Sequence, residues 1–136
     1  MTENVSEAPG VTEDAAVVVS RTVGVPVKDV WKFFMSAAGA EALLGPGAHL
    51  GEKGRGWASD DGHNGVVRTL HPNEEIRFSF RSDDASTFSM VKLEMFQQGD
   101  DTQLTITHDR LWPDTDLAKL TNRWTAALER IDEIQS

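Results

Sequence analysis

Polar and apolar positions along the chain follow two periods, and the switches between them mark the elements. Val17 to Val25 is dense in β-branched residues and predicts a strand. Pro26 ends it and suits the first turn of a helix. Val27, Val30, Trp31 and Phe34 follow at i, i+3, i+4 and i+7, the stripe of a short amphipathic helix. Ala37 to Leu44 predicts a second short helix, punctuated by Gly39 and ended by Gly45-Pro46-Gly47. The glycine-dense stretch that follows reads as turns or short irregular strands, with Trp57 at its end. Asp60-Asp61-Gly62-His63-Asn64-Gly65 is a hairpin signal. Val66 to Leu70 reads as a strand and His71-Pro72-Asn73 as a turn. Ile76, Phe78 and Phe80 then alternate with Arg77, Ser79 and Arg81, the period of two that marks a half-buried strand. Thr87 to Phe96 predicts a long strand with Val91, Leu93 and Met95 on one face. After a turn at Gln98 to Asp101, Leu104, Ile106 and His108 share a face.

Pro113 opens the last element, with Asp114 and Asp116 in its first turn, where the helix dipole favours anions. Leu117, Leu120, Trp124, Ala127 or Leu128, Ile131 and Ile134 recur at spacings of three and four. A helix of ~20 residues would be ~30 Å long, about a domain's width. Antiparallel strands with one apolar face need a cover, and this helix is the element large enough to supply it. The expected fold is α+β: a curved antiparallel sheet wrapped around a long C-terminal helix, with one or two short helices after the first strand.

Composition narrows the functional classes. The 136 residues contain 39% apolar side chains and 11 glycines, the ordinary balance of one globular domain. With 13 basic against 22 acidic residues the net charge is −9, so neither nucleic acid nor an anionic membrane surface is an expected partner. The absence of cysteine removes disulfides, zinc thiolates and thiol nucleophiles, and suits a reducing cytoplasm. Residues 1–14 carry Glu3, Glu7, Glu13 and Asp14 and no base, and predict a disordered acidic tail ahead of a single domain at 15–136.

No catalytic or metal motif emerges. The glycines of 45–56 fit neither phosphate-cradling pattern, and Trp57 stands where a phosphate loop needs lysine. His49, His63, His71 and His108 form no ligand pair on one helix, so no metal or other cofactor is expected. His63 and His71 flank turns and are read as solvated, as are the carboxylate pairs Asp60-Asp61, Asp83-Asp84 and Asp100-Asp101. His108 is different, because alternation turns it inward with Leu104 and Ile106. It is either a core histidine with satisfied nitrogens or a polar anchor in an apolar pocket. Trp31 and Trp124 fall on helical stripes, whereas Trp57 and Trp112 lie near loops, and any buried indole needs a partner for its N–H.

Four segments carry a family resemblance: Val25-Pro26-Val27-Lys28-Asp29-Val30-Trp31-Lys32-Phe33-Phe34, Asp61-Gly62-His63-Asn64-Gly65-Val66-Val67, Glu75-Ile76-Arg77-Phe78-Ser79-Phe80-Arg81, and Thr105-Ile106-Thr107-His108-Asp109-Arg110-Leu111 with Arg123-Trp124 and Leu128 beyond it. In this order they resemble the activator of heat-shock protein 90 ATPase homologue-like branch of the START-like, SRPBCC superfamily, over about Val17 to Ile134. The resemblance implies the helix-grip fold and a cavity between sheet and helix that takes a small hydrophobic or aromatic molecule. Carried onto this chain, Phe78, Phe80, Val91, Leu93 and Leu120 would wall the pocket, Trp57 and Trp124 would add aromatic surface, and His108 a polar contact. The alternatives are a polyketide cyclase-like enzyme, which would need an inward acid/base pair (His108 with Arg21 or Arg68), and a chaperone-cofactor-like interaction module. Eukaryotic chaperone activators carry a separate N-terminal chaperone-binding domain for which these residues leave no room, so chaperone stimulation is not expected. A monomer or weak homodimer is the expected state.

The acidic tail lacks apolar surface to offset the entropy of ordering it. Deleting residues 1–14 should leave the melting temperature within error. A loss of several degrees by differential scanning calorimetry would show that the tail packs on the body.

Overall fold

In a computed structural model of the chain, residues 16–83, 88–111 and 116–131 are described. The strand β1 (Val17–Val23) leads into α1 (Val27–Met35) and α2 (Ala37–Leu44). Five further strands follow, β2 (Gly56–Ala58), β3 (His63–His71), β4 (Glu75–Ser82), β5 (Ser89–Gln98) and β6 (Asp101–Asp109), and then α3 (Leu117–Glu129). The six strands form one antiparallel sheet in the order β1-β6-β5-β4-β3-β2. Neighbours in the sequence are therefore neighbours in the sheet, except that β1 closes against β6.

Local chemistry sets the boundaries. Pro26 stands just ahead of α1 in an extended conformation, φ −66°. Ser36 separates the two short helices and caps α2 by accepting the Gly39 N–H at 3.2 Å. Gly39 permits a close approach: a Cβ there would stand 1.8 Å from the Phe33 carbonyl oxygen. Gly99 adopts φ 63° in the two-residue turn that pairs Gln98 with Asp101. Asp116 caps α3 through the Lys119 N–H at 3.0 Å.

The inner sheet face carries Val17 and Val23, Val67, Ile76, Phe78 and Phe80, Val91, Leu93 and Met95, and Leu104, Ile106 and His108, all buried. Trp124, Ala127, Leu128 and Ile131 of the C-terminal segment bury against that core. Leu117 is exposed and Leu120 half-buried, so the apolar stripe engages from the second turn. The described α-helical part has 13 residues and gives way to a tighter turn at Arg130 and Ile131. The expectations for residues 1–14, Trp112, Pro113, Asp114 and Ile134 lie outside the described residues.

The sheet bends where β3 meets β4. Pairing passes from Asn64–Arg81 to Val67–Phe78 without bridging Gly65 and Val66, and a bulge follows between Val67 and Thr69. Side chains fill the interrupted ladder. Ser79 Oγ accepts the Val66 N–H at 2.9 Å, and the Ser79 carbonyl accepts the Trp57 indole N–H at 3.2 Å. A Cβ on Gly65 would lie 1.8 Å from that carbonyl oxygen and 2.7 Å from the indole nitrogen, so glycine is what lets the three groups meet. Among the described residues, no helix is long and apolar enough to cross a membrane.

Trp124 has no exposed surface and touches rings on two other elements. Trp124→Ala should cost ~3–5 kcal/mol, read as a lowered urea midpoint at unchanged slope. A parent-like midpoint would disprove this placement of the helix.

Candidate functional site

Under α3 the aromatic residues of four strands and the helix form one cluster. Phe80 lies at its centre, with ring centroids 5.0 Å from His108, 5.6 Å from Trp124 and 6.0 Å from Trp57. Phe78 meets Trp57 edge-on at 5.7 Å and Trp124 at 6.3 Å. His63 stacks on the Phe80 ring at 4.8 Å. These offset and edge-on geometries suit the ring quadrupoles.

A directed hydrogen-bond chain crosses the cluster. The Trp124 indole N–H, which can only donate, meets His108 Nδ1 at 3.1 Å. Nδ1 is therefore the acceptor, and Nε2 carries the proton and donates to Ser89 Oγ at 2.6 Å. The Ser89 hydroxyl donates in turn to the Phe80 carbonyl at 2.8 Å. Burial, reinforced by the positive charge of Arg123 and by His63, pushes the His108 pKa down to about 3. The imidazole is neutral at physiological pH, as this chain requires.

A second polar group closes the outer side. Arg123, one residue before Trp124, spreads its guanidinium 5.1 Å from the Phe80 ring centroid and 5.3 Å from that of Trp124. Nη1 donates to Asp61 Oδ2 at 3.1 Å and Nη2 to the Leu44 carbonyl at 3.1 Å. One side chain thus joins α3 to the end of α2 and to the β2–β3 turn. The other oxygen of Asp61 accepts from the Ser59 hydroxyl and meets His63 Nδ1 at 3.1 Å. Burial works to raise the Asp61 pKa, but the hydrogen bonds from Ser59, His63 and Arg123 outweigh it, and with the Arg123 charge they hold it well below the usual carboxylate range. Beside this pair, between α2 and α3, lies a pocket of about 220 Å³ lined in part by Gly45, Pro46, Ala126 and Ala127. Among the described residues no three His, Asp or Glu side chains gather so as to hold a metal ion.

The family model described as Activator of Hsp90 ATPase homolog 1-like protein matches residues 25–135. The chain belongs to this family. Solved structures share its helix-grip fold. CalU16 from Micromonospora echinospora is 19% identical, with 88% of this chain and 75% of that one covered and a TM-score of 0.73. Protein MLL2253 from Mesorhizobium loti is 17% identical, covering 89% and 96%, with a TM-score of 0.77. PFC0360w, an HSP90 activator from Plasmodium falciparum, is 17% identical, covering 88% and 95%, with a TM-score of 0.74. At these identities the likeness shows the fold alone. No curated protein matches the chain.

For this family member, the structure brings seven of the eight sequence-derived site residues into the buried core. Trp57, Phe78, Phe80, Val91, Leu93, His108 and Trp124 are at most 5% exposed, and Leu120 lies half-buried at the margin. Phe78, Val91, Leu93 and Trp124 have no surface that water can touch, so no water-sized void adjoins them in this conformation. Both ring nitrogens of His108 are engaged within the protein. Arg21 shares the inward phase of Val17 and Val23, but it pairs with Leu104 whereas His108 pairs with Val17. Four residues of strand separate their backbones by roughly 13 Å. Arg68 sits exposed at the bulge.

Sequence reasoning missed Asp61, His63 and Arg123. The sequence reads Asp61 and His63 as solvated turn residues; Asp61 is indeed exposed and His63 half-buried, but both are tied into the cluster by hydrogen bonds and stacking that the turn pattern does not signal. The helical phase held one usable signal: Arg123 adjoins the buried Trp124, and a long cationic side chain there can lie back over the same rings.

The His108 shift predicts a pH dependence. The unfolded imidazole takes a proton near pH 6.5, whereas the folded one resists until about 3. The unfolded state binds the extra proton in that window, so this group's stabilisation is complete above the window and is lost as pH falls through it. Between about pH 5.5 and 4.5 the parent should lose up to ~1.4 kcal/mol more unfolding free energy than His108→Gln does. Identical slopes in urea titrations would contradict a buried neutral imidazole.

Proposed function

We propose that residues 15–136 form one ligand-binding domain that takes a small hydrophobic or aromatic molecule between the sheet and α3, in the cytoplasm. The observation supporting this reading is the aromatic cluster itself. Trp57, Phe78, Phe80 and Trp124 present ring edges and faces beneath a single covering helix, with Val91 and Leu93 behind them and Leu120 at the margin. A helix held by side-chain contacts at one face can move outward more readily than a strand held by a ladder. The ligand would take the place that Trp124 now fills, and His108, freed from the indole, would offer Nδ1 as an acceptor to a ligand hydroxyl.

A second reading, an interaction module resembling a chaperone cofactor, is favoured by the sealed interior around Phe78, Val91, Leu93 and Trp124. PFC0360w, described as an HSP90 activator, shares the fold. Under that reading the cluster is plain core and the working surface lies outside.

Native mass spectrometry of purified protein, followed by a thermal-shift screen of apolar and aromatic compounds, separates the two. Under the ligand reading, a binder at a hundred times its dissociation constant raises stability by ~2.7 kcal/mol, and His108→Gln weakens that binder by up to ~13-fold. Equal shifts for parent and variant remove the anchor role from His108. The absence of both a co-purified molecule and any shift would favour the interaction module.

A further inference from the structure

We infer that Arg123 is the docking point for the acid group of the ligand, and that the ligand class is a small aromatic or apolar acid. The inference rests on the ligand-binding reading above and adds the chemistry of its polar end.

The guanidinium stands on a boundary. One side lies over the rings of Phe80 and Trp124, and the other lines the pocket between α2 and α3. A molecule entering through that pocket therefore meets the cation first, and the rings of Phe80 and Trp124 lie buried directly behind it. The pocket, about 220 Å³, is below the ~300–1,000 Å³ typical of drug-sized ligands, which points to one or two rings. Pro46, Ala126 and Ala127 give it apolar walls, and Gly45 keeps side-chain bulk out.

The hydrogen bonding of Arg123 leaves room for an anion. Nη2 is committed to the Leu44 carbonyl, which fixes the side chain. Nε is buried and has no hydrogen-bond partner among the described residues, an orphan donor on a group whose planar fork suits carboxylate. Nη1 is held by Asp61, but only through Oδ2, while Oδ1 keeps Ser59 and His63. An incoming carboxylate can take Nη1 without stranding Asp61, and a small shift of the guanidinium would bring the buried Nε within its reach. The remaining acid of the pocket, Glu41, turns its Oε2 to the Gly47 N–H at 2.8 Å. Asp61 thus acts as a stand-in that neutralises Arg123 when no ligand is present.

The test is binding of 1-naphthoate and its neutral analogue 1-naphthamide at neutral pH, followed by tryptophan fluorescence and by isothermal calorimetry. Naphthoate should bind at least about tenfold more tightly than naphthamide, the gain expected of a charge-assisted contact. Arg123→Gln should abolish that preference, and Arg123→Lys should keep only part of it. Asp61→Asn should tighten naphthoate several-fold and leave naphthamide unchanged, the reverse of what a merely structural salt bridge would give. Circular dichroism checks that each variant is folded. If the Arg123 variants do not fold, the Asp61→Asn comparison decides alone. Equal affinity of acid and amide in the parent would overturn the acid assignment while leaving the ligand reading intact. Absence of binding by either compound would overturn the acid assignment and count against the ligand reading as well. Weaker naphthoate binding by Asp61→Asn would show that Asp61 supports the site instead of competing for it.

Discussion

The indole N–H of Trp124 can donate but not accept, and that constraint propagates through the middle of the protein. It makes His108 Nδ1 an acceptor, which places the proton on Nε2 and directs it to Ser89, whose hydroxyl then serves the Phe80 carbonyl. The buried indole and imidazole would each be left unsatisfied without their neighbours, and such groups are costly. The helix position, the imidazole tautomer and the pairing of β4 with β5 are consequently interdependent. An apolar contact could slide by a fraction of an ångström, whereas this chain sets one rotation of α3 on the sheet.

Arg123 extends the same control outward. Its neighbour Trp124 points into the core, and the guanidinium folds back over the indole to reach the α2 terminus and the β2–β3 turn. A cation held over two rings and shared between a carbonyl and a carboxylate fastens the one helix that would have to move for the interior to open. Buried neutral polarity on the inside and a partly exposed charge on the outside therefore hold the same helix, with different sensitivities: the first to proton uptake, the second to competing anions and salt.

Much of the fold was legible because periodicity reports burial. The alternation through Ile76, Phe78 and Phe80 and the stripe through Trp124, Leu128 and Ile131 mark faces that do meet in the core. The inward direction of His108 followed from the same rule. Periodicity carries no information on contacts between distant polar groups. Arg123 and Asp61 are 62 positions apart, and neither occupies an apolar phase. The break in the β3–β4 ladder was hidden for a similar reason. It depends on Gly65 having no side chain, on Ser79 and on Trp57, residues that each look ordinary in their own segment.

The strand order has a consequence for how the chain matures. Each pairing from β2 to β6 joins consecutive strands, so those ladders can form as their residues leave the ribosome. β1 has its partner in the last strand of the sequence: Val23 pairs with Thr102 and Val17 with His108. At ~5–20 residues per second, synthesis of the intervening stretch takes roughly 4–18 s. Throughout that interval a β-branched segment, made before the rest of the sheet, has no native ladder to join. Closing it against β6 brings together residues from opposite ends of the sequence, and that step carries the largest loop-closure entropy in the sheet.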